Sequence, residues 1–198
     1  MTKLSEEMKA YGAAHGLPVL RTEEVSLLQH LIRRTRPQRI LEIGTCIGYS
    51  ALLILECLQG EASLTTIELD EARYERAKSF LGRSPYIEKI TLLQGDATEI
   101  IKDLSGPWDF VFLDGPKGQY GRQLKLLMPH LAARAVIAAD NVRYHDMMYM
   151  DGELPHKHRT AVRRLREFLE LVGNKALFET VVFENGDGMT VSRRKDWI

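Results

Sequence analysis

The sequence predicts an α/β protein built on a doubly wound, seven-stranded, mostly parallel sheet with helices on both faces and an antiparallel edge strand. Three observations carry that expectation. Short apolar runs alternate with segments of helical periodicity, the rhythm of parallel strands joined by right-handed crossovers. Several of these runs end in acidic or glycine residues, as expected where parallel strands present their C-terminal ends to a ligand. Near the end of the sequence, two short runs flank Glu184-Asn185-Gly186-Asp187-Gly188, a turn-rich link that favours an antiparallel pair.

The elements follow in order. Met1 to Tyr11 is polar and helical in pattern. Thr22 to Arg34 carries Val25, Leu27, Leu28, Leu31 and Ile32 at helical spacing and is followed by Pro37, so a covering helix precedes the first strand. Strands are expected near 39–44, 63–69, 90–95, 108–114 and 135–140, with helices near 48–59, 71–82, 98–104 and 120–132. A helix from about Lys157 to Val172, with Val162, Leu165, Leu169 and Val172 as its buried stripe, leads to strands at Phe178–Phe183 and Met189–Arg193. No repeat, linker or low-complexity segment divides the chain, so residues 1–198 are expected to form one domain with 1–37 as N-terminal covering helices.

Composition sets the bounds. A chain of 198 residues, 44% hydrophobic, can bury a full core. Its 27 basic and 27 acidic side chains cancel, so any nucleic-acid site must be a local patch. Cys46 and Cys57 form neither a metal-type pair nor a disulfide framework, which suits reduced thiols. The first residues lack the basic segment and apolar core of a secretion signal, and no apolar stretch reaches bilayer length. The expectation is a soluble cytoplasmic protein.

The first strand runs into Gly44-Thr45-Cys46-Ile47-Gly48-Tyr49-Ser50, where two glycines let the backbone and a helix N-terminus approach a ligand closely. Glu68 ends the second strand about twenty residues later, where an acid commonly receives a ribose diol. The turn lacks the third glycine of a dinucleotide fingerprint, and Glu42 just before it would repel a pyrophosphate while tolerating a cationic ligand such as S-adenosylmethionine. A plainer reading is that the glycines only close a tight strand-to-helix turn. Asp96 suits either the adenine side of such a site or an N-cap for the next helix.

Two further strands end in Asp114 and in Asp140-Asn141. In a sheet wound this way those strands are neighbours roughly 5 Å apart, so two carboxylates and an amide oxygen converge in a hard half shell. That set suits Mg²⁺, or Mn²⁺ or Ca²⁺, and is a poor zinc site. Lys117, three residues after Asp114, is placed to take a proton from an acceptor hydroxyl or to hold the oxyanion. Read singly, Asp114 is a strand-end cap, Asp140-Asn141 a turn and Lys117 a surface charge. His145 and Asp146 fall in the nearby loop without an assigned role.

The strings Leu41–Ser50, Thr66-Ile67-Glu68, Gly95-Asp96-Ala97, Phe112–Tyr120, Asp140-Asn141-Val142 and Gly186-Asp187-Gly188 together resemble the cation-dependent class I O-methyltransferases, the catechol and caffeoyl-CoA O-methyltransferase family with its Rossmann-like fold. The resemblance runs from about Gly16 onward and looks closest to the bacterial tRNA 5-hydroxyuridine methyltransferase branch, which shares the Lys-Gly-Gln-Tyr string and a basic helix. It implies that Asp114, Asp140 and Asn141 hold Mg²⁺, that Lys117 assists deprotonation with Asp114 as the other catalytic residue, and that Glu42, Gly44, Ser50, Glu68 and Ala97 line the S-adenosylmethionine site, with Gly48, Asp96 and Asp114 beside them. It also implies a homodimer.

From His156 to Arg166 the chain carries five formal positive charges and no acid. Lys157, Arg159, Arg163 and Arg164, with Arg143 before them and Arg193-Arg194-Lys195 beyond, are candidate contacts to tRNA phosphates; the alternative is a solvated helix face balanced by Glu167 and Glu170. A wobble-position 5-hydroxyuridine and a catechol offer the metal the same chelating pair. The expected activity is therefore a metal-dependent O-methyltransferase acting on hydroxylated uridine in tRNA, against a small catechol-like or CoA-linked phenol. From another class stands a non-catalytic nucleotide-binding module, and behind it an NAD-dependent oxidoreductase.

Overall fold

The computed structural model describes residues 2–144, 146–150 and 155–196. Seven strands form a mixed sheet, mostly parallel with an antiparallel edge pair, and the chain divides into two compact units, Met1–Ala97 and Thr98–Ile198.

In the first unit, α1 (Lys3–Ala14) and α2 (Thr22–Thr35) pack on α3 (Tyr49–Cys57). The α1 start is capped by Thr2, whose hydroxyl accepts from Ser5 N, and the α2 start is closed by Glu24, whose carboxylate accepts from Arg21 N at 2.8 Å. Strands β1 (Arg39–Ile43), β2 (Ser63–Glu68) and β3 (Ile90–Gln94) pair in parallel, β2 in the middle, and α4 (Glu71–Leu81) starts on an Asp70 side chain that accepts from Arg73 N at 2.8 Å. Strand β1 stops at Ile43 because Gly44 turns to a φ of 103°.

Helix α5 (Ala97–Ile100) begins at the last residue of the first unit, and the second continues with β4 (Trp108–Leu113), α6 (Tyr120–Leu127), β5 (Leu131–Asp140), α7 (His156–Gly173), β6 (Phe178–Phe183) and β7 (Met189–Arg194). Strands β4 and β5 are parallel; β7 lies antiparallel between β5 and β6. Helix α7 packs on α6, on β6 and on the 3-10 turn Lys117–Gln119.

Three sequence expectations shift. The helix expected over 120–132 ends at Leu127, because Pro129 removes a donor and tightens Met128–His130 into a 3-10 turn. The Ala132-Ala133-Arg134 run that reads as helix belongs to β5, which starts at Leu131. Helix α7 buries Phe168 in the stripe assigned to Leu169, which is only partly covered. Among the described residues no helix is long and apolar enough to cross a membrane.

Candidate functional site

The predicted residues fall in both units. In the first, Glu42 is fully buried on β1, in register with Thr66 on β2. The Thr66 hydroxyl donates to Glu42 Oε2 at 2.6 Å and lies 2.5 Å from the Thr45 hydroxyl, so a strand acid and the next turn are joined by a buried polar chain. Thr66 and Glu68 share one face of β2 by the period-2 rule. Glu68, 7% exposed, accepts from Cys46 N at 2.7 Å through Oε2 and from Asp70 N at 2.9 Å through Oε1. It therefore ties the turn after β1 to the start of α4, and it offsets the left-handed backbone of Cys46, at φ 50°.

Gly48 forms the N-cap of α3 at φ 86°. A Cβ there would lie 2.8 Å from Leu81 Cγ, so this glycine answers to the packing of α4 as well as to the turn. Gly48 brings no side-chain cap to α3, which suits the N–H groups of its first turn, with Ser50 buried among them, to an anionic group. Asp96 is exposed just before α5, and Ala97 is buried at its first position.

In the second unit Asp114 follows the last residue of β4, and Asp140 is the last of β5. Lys117 Nζ donates to Asp114 Oδ1 at 3.2 Å, both side chains about one-sixth exposed (15% and 16%). Asp140 is 2% exposed, and Asn141 follows at φ 55°, a left-handed conformation that asparagine tolerates. The donors are all oxygen, a chemistry that fits a hard divalent ion. Among the described residues, no group of three or more His, Cys, Asp or Glu side chains gathers as a metal site, so the candidate set is two carboxylates completed by an amide oxygen.

Tyr120 joins these residues. Its ring is fully buried, lies 5.7 Å from Lys117 Nζ and meets Phe168 edge-on at 5.4 Å, while its hydroxyl donates to the Asp140 carbonyl at 3.1 Å. Burial first, and then the charges of Asp114 and Asp140, push its phenol well above its ordinary value, so it remains a donor.

The α7 cations are arranged unevenly. Lys157, Arg159, Arg163 and Arg164 are exposed, and Arg163 lies 3.9 Å from Glu167. The same helix presses on the lysine turn, with Ala161 Cα and Arg164 Cδ 3.6 and 3.7 Å from a Cβ built on Gly118. Arg143 is committed locally: Nε donates to Asp146 Oδ1 at 2.8 Å and Nη1 to the Glu184 carbonyl at 2.5 Å. Asp146 thus has a structural partner, and His145 lies outside the described residues.

Sequence reasoning missed Thr45, Thr66 and Tyr120. The signal for Thr66 was its place two residues before Glu68 on one strand; Tyr120 showed only as the end of a string, since a hydroxyl reaching a carbonyl twenty residues away leaves no local trace.

A family model described as O-methyltransferase matches residues 3–195. A caffeoyl-CoA O-methyltransferase from Populus kitakamiensis is 28% identical, over 94% of this chain and 82% of its own length. Tapetum-specific methyltransferase 1 from Arabidopsis thaliana is 27% identical, over 90% and 78%. Among solved structures, the O-methyltransferase TomG from Streptomyces achromogenes, in complex with SAM, superposes with a TM-score of 0.87 at 24% identity, covering 99% of this chain and 91% of that one. SAH-bound PaMTH1 from Podospora anserina gives 0.86 at 23%, covering 99% and 89%. These two likenesses establish the fold, a Rossmann-like methyltransferase sheet.

Proposed function

The chain belongs to the O-methyltransferase family, and from that premise we propose that it moves the methyl group of S-adenosylmethionine to an acceptor hydroxyl with the help of a divalent cation. The observation that carries this reading is the Lys117 ammonium beside the Asp114 carboxylate, in a unit whose next strand ends in Asp140-Asn141. Asp114, Asp140 and Asn141 would hold Mg²⁺, with Mn²⁺ or Ca²⁺ as substitutes. When bound, the ion lowers the pKa of the acceptor hydroxyl and orients its oxyanion. As the neutral amine, Lys117 would take the hydroxyl proton at Nζ and become the ammonium that Asp114 holds in place.

The cofactor supplies a methyl on a sulfonium; the new C–O bond forms as the C–S bond breaks, leaving S-adenosylhomocysteine. The Gly44–Ser50 turn and the uncapped start of α3 suit the cofactor's carboxylate, Glu68 its ribose diol, and Asp96 and Ala97 its adenine. The SAM and SAH bound to TomG and PaMTH1 support this donor.

For the acceptor, the naming of the Populus relative supports a small phenol with vicinal oxygens, catechol-like or CoA-linked. The exposed α7 cations, on a helix that packs against the lysine turn, support 5-hydroxyuridine in a tRNA anticodon. The expected homodimer is supported by Val181, Val182 and Phe183 on β6, which remain 58%, 45% and 36% exposed, and sedimentation checks it. Neither cysteine lies in a disulfide, which supports a cytoplasmic setting.

Methyl transfer from labelled S-adenosylmethionine into 5-hydroxyuridine tRNA and into a catechol, each with Mg²⁺ and with EDTA, tests the proposal. Metal-dependent label in tRNA supports the RNA acceptor; label in catechol alone assigns the small phenol. No metal-dependent transfer to either would overturn the cation reading.

A further inference from the structure

Asp140 and Asn141 are gripped by two other elements of the second unit, and neither grip follows from the sequence motifs. From α6, the Tyr120 hydroxyl donates to the Asp140 carbonyl at 3.1 Å. From the turn between β6 and β7, the Gly188 carbonyl accepts from Val142 N at 3.0 Å and the Asp187 carbonyl accepts from Arg143 N at 2.8 Å, so the residues just past Asn141 continue the β5–β7 pairing onto the turn. That contact is close. Gly188 sits at φ 76°, and a Cβ there would lie 2.6 Å from Arg143 Cγ and 3.3 Å from Val142 Cγ2. Between the two grips Asn141 takes its left-handed conformation.

We infer that Tyr120 and Gly188 are positioning residues for the cation: the phenol and the glycine turn together set the backbone from which Asp140 and Asn141 present their oxygens. The inference rests on the cation reading above. A partner that orients a metal ligand without touching the ion characteristically alters affinity tenfold or more when removed. Tyr120 has a second consequence for the same site, because its ring also lies under the Lys117 ammonium, so one side chain bears on both the ligand pair and the base.

The test measures Mn²⁺ affinity by isothermal titration calorimetry and thermal unfolding in the same samples. Tyr120→Phe keeps the ring and removes only the hydroxyl. It is expected to weaken Mn²⁺ binding about tenfold, and Gly188→Ala, which displaces Arg143, is expected to weaken it as well. Phe168→Leu, which loosens the packing on the Tyr120 ring while keeping the hydroxyl, is the control: it should lower the unfolding temperature and leave Mn²⁺ affinity unchanged. Wild-type-like affinity in both Tyr120→Phe and Gly188→Ala overturns the inference alone, as does a loss in Phe168→Leu equal to that in Tyr120→Phe. Absence of Mn²⁺ binding by the wild-type protein overturns the inference together with the cation reading. Should Tyr120→Phe fail to fold, Gly188→Ala, in the turn between β6 and β7, decides the outcome.

Discussion

The two units both place carboxylates at strand ends, and they use them differently. In the first, Glu42 and Glu68 receive their hydrogen bonds from the Thr66 hydroxyl and from the N–H groups of Cys46 and Asp70. Those acids hold a turn in shape. In the second, Asp114 faces the Lys117 ammonium and Asp140 carries its carboxylate at the last position of a buried strand. Asp114 thus keeps a charge beside a potential base. Pinning a backbone and handling a proton call for different neighbours: amides and hydroxyls for the former, a titratable cation for the latter. On the proposed reading, the contrast separates a unit suited to binding from one suited to chemistry.

Removing the base should break that contrast most visibly. Lys117→Ala is expected to lower kcat by about 10²- to 10⁴-fold, with S-adenosylmethionine affinity unchanged by titration calorimetry; an equal loss of affinity would mean the two units do not divide the work. Glu68→Ala comes next. Losing an acid that holds two backbone N–H groups should weaken cofactor binding about 10- to 100-fold, while Mn²⁺ affinity stays at the wild-type level.

Thr66→Val removes the hydroxyl that serves Glu42 and Thr45, and should cost about 1–3 kcal/mol of folding stability, read from urea unfolding. A neutral result would show that the buried Glu42 finds another donor. The smallest effect is expected at Arg83, which pairs with Glu7 on the exposed surface and holds that carboxyl below its usual range. Any stability from the pair is present above the ordinary carboxylate range and fades as pH falls through the lowered value, and solvent screens it. Arg83→Ala should therefore leave the unfolding midpoint at neutral pH unchanged.

Much of this was legible in the sequence. The run endings at Glu68 and Asp140 mark observed strand ends, and the β6 limits, Phe178–Phe183, match the expectation. What failed locally did so for local reasons: the alanines after Leu131 have no strong strand preference and were claimed by the neighbouring helix pattern, whereas the structure assigns them to β5. The candidate site was legible as residue types and invisible as hydrogen bonds. Glu68 was readable as a strand-end acid, but its grip on Cys46 N joins residues on separate segments. Arg143 was readable as a cation, and only the folded loop shows its guanidinium engaged by Asp146 and the Glu184 carbonyl.

The placement of β7 between β5 and β6 has a consequence for how the protein is made. Synthesis delivers β5 well before the strand that covers its outer edge, so a nascent chain shows the ribosome's surroundings a row of unpaired amides from Val136 to Asp140. Until Met189–Arg194 emerges and slots in, Val142 and Arg143 also lack the turn carbonyls that hold them. The portion of the molecule proposed to handle the chemistry is thus the last to mature, and a chain stalled before that strand would carry the first unit's strands complete and the proposed cation ligands unset, with an open strand edge left exposed.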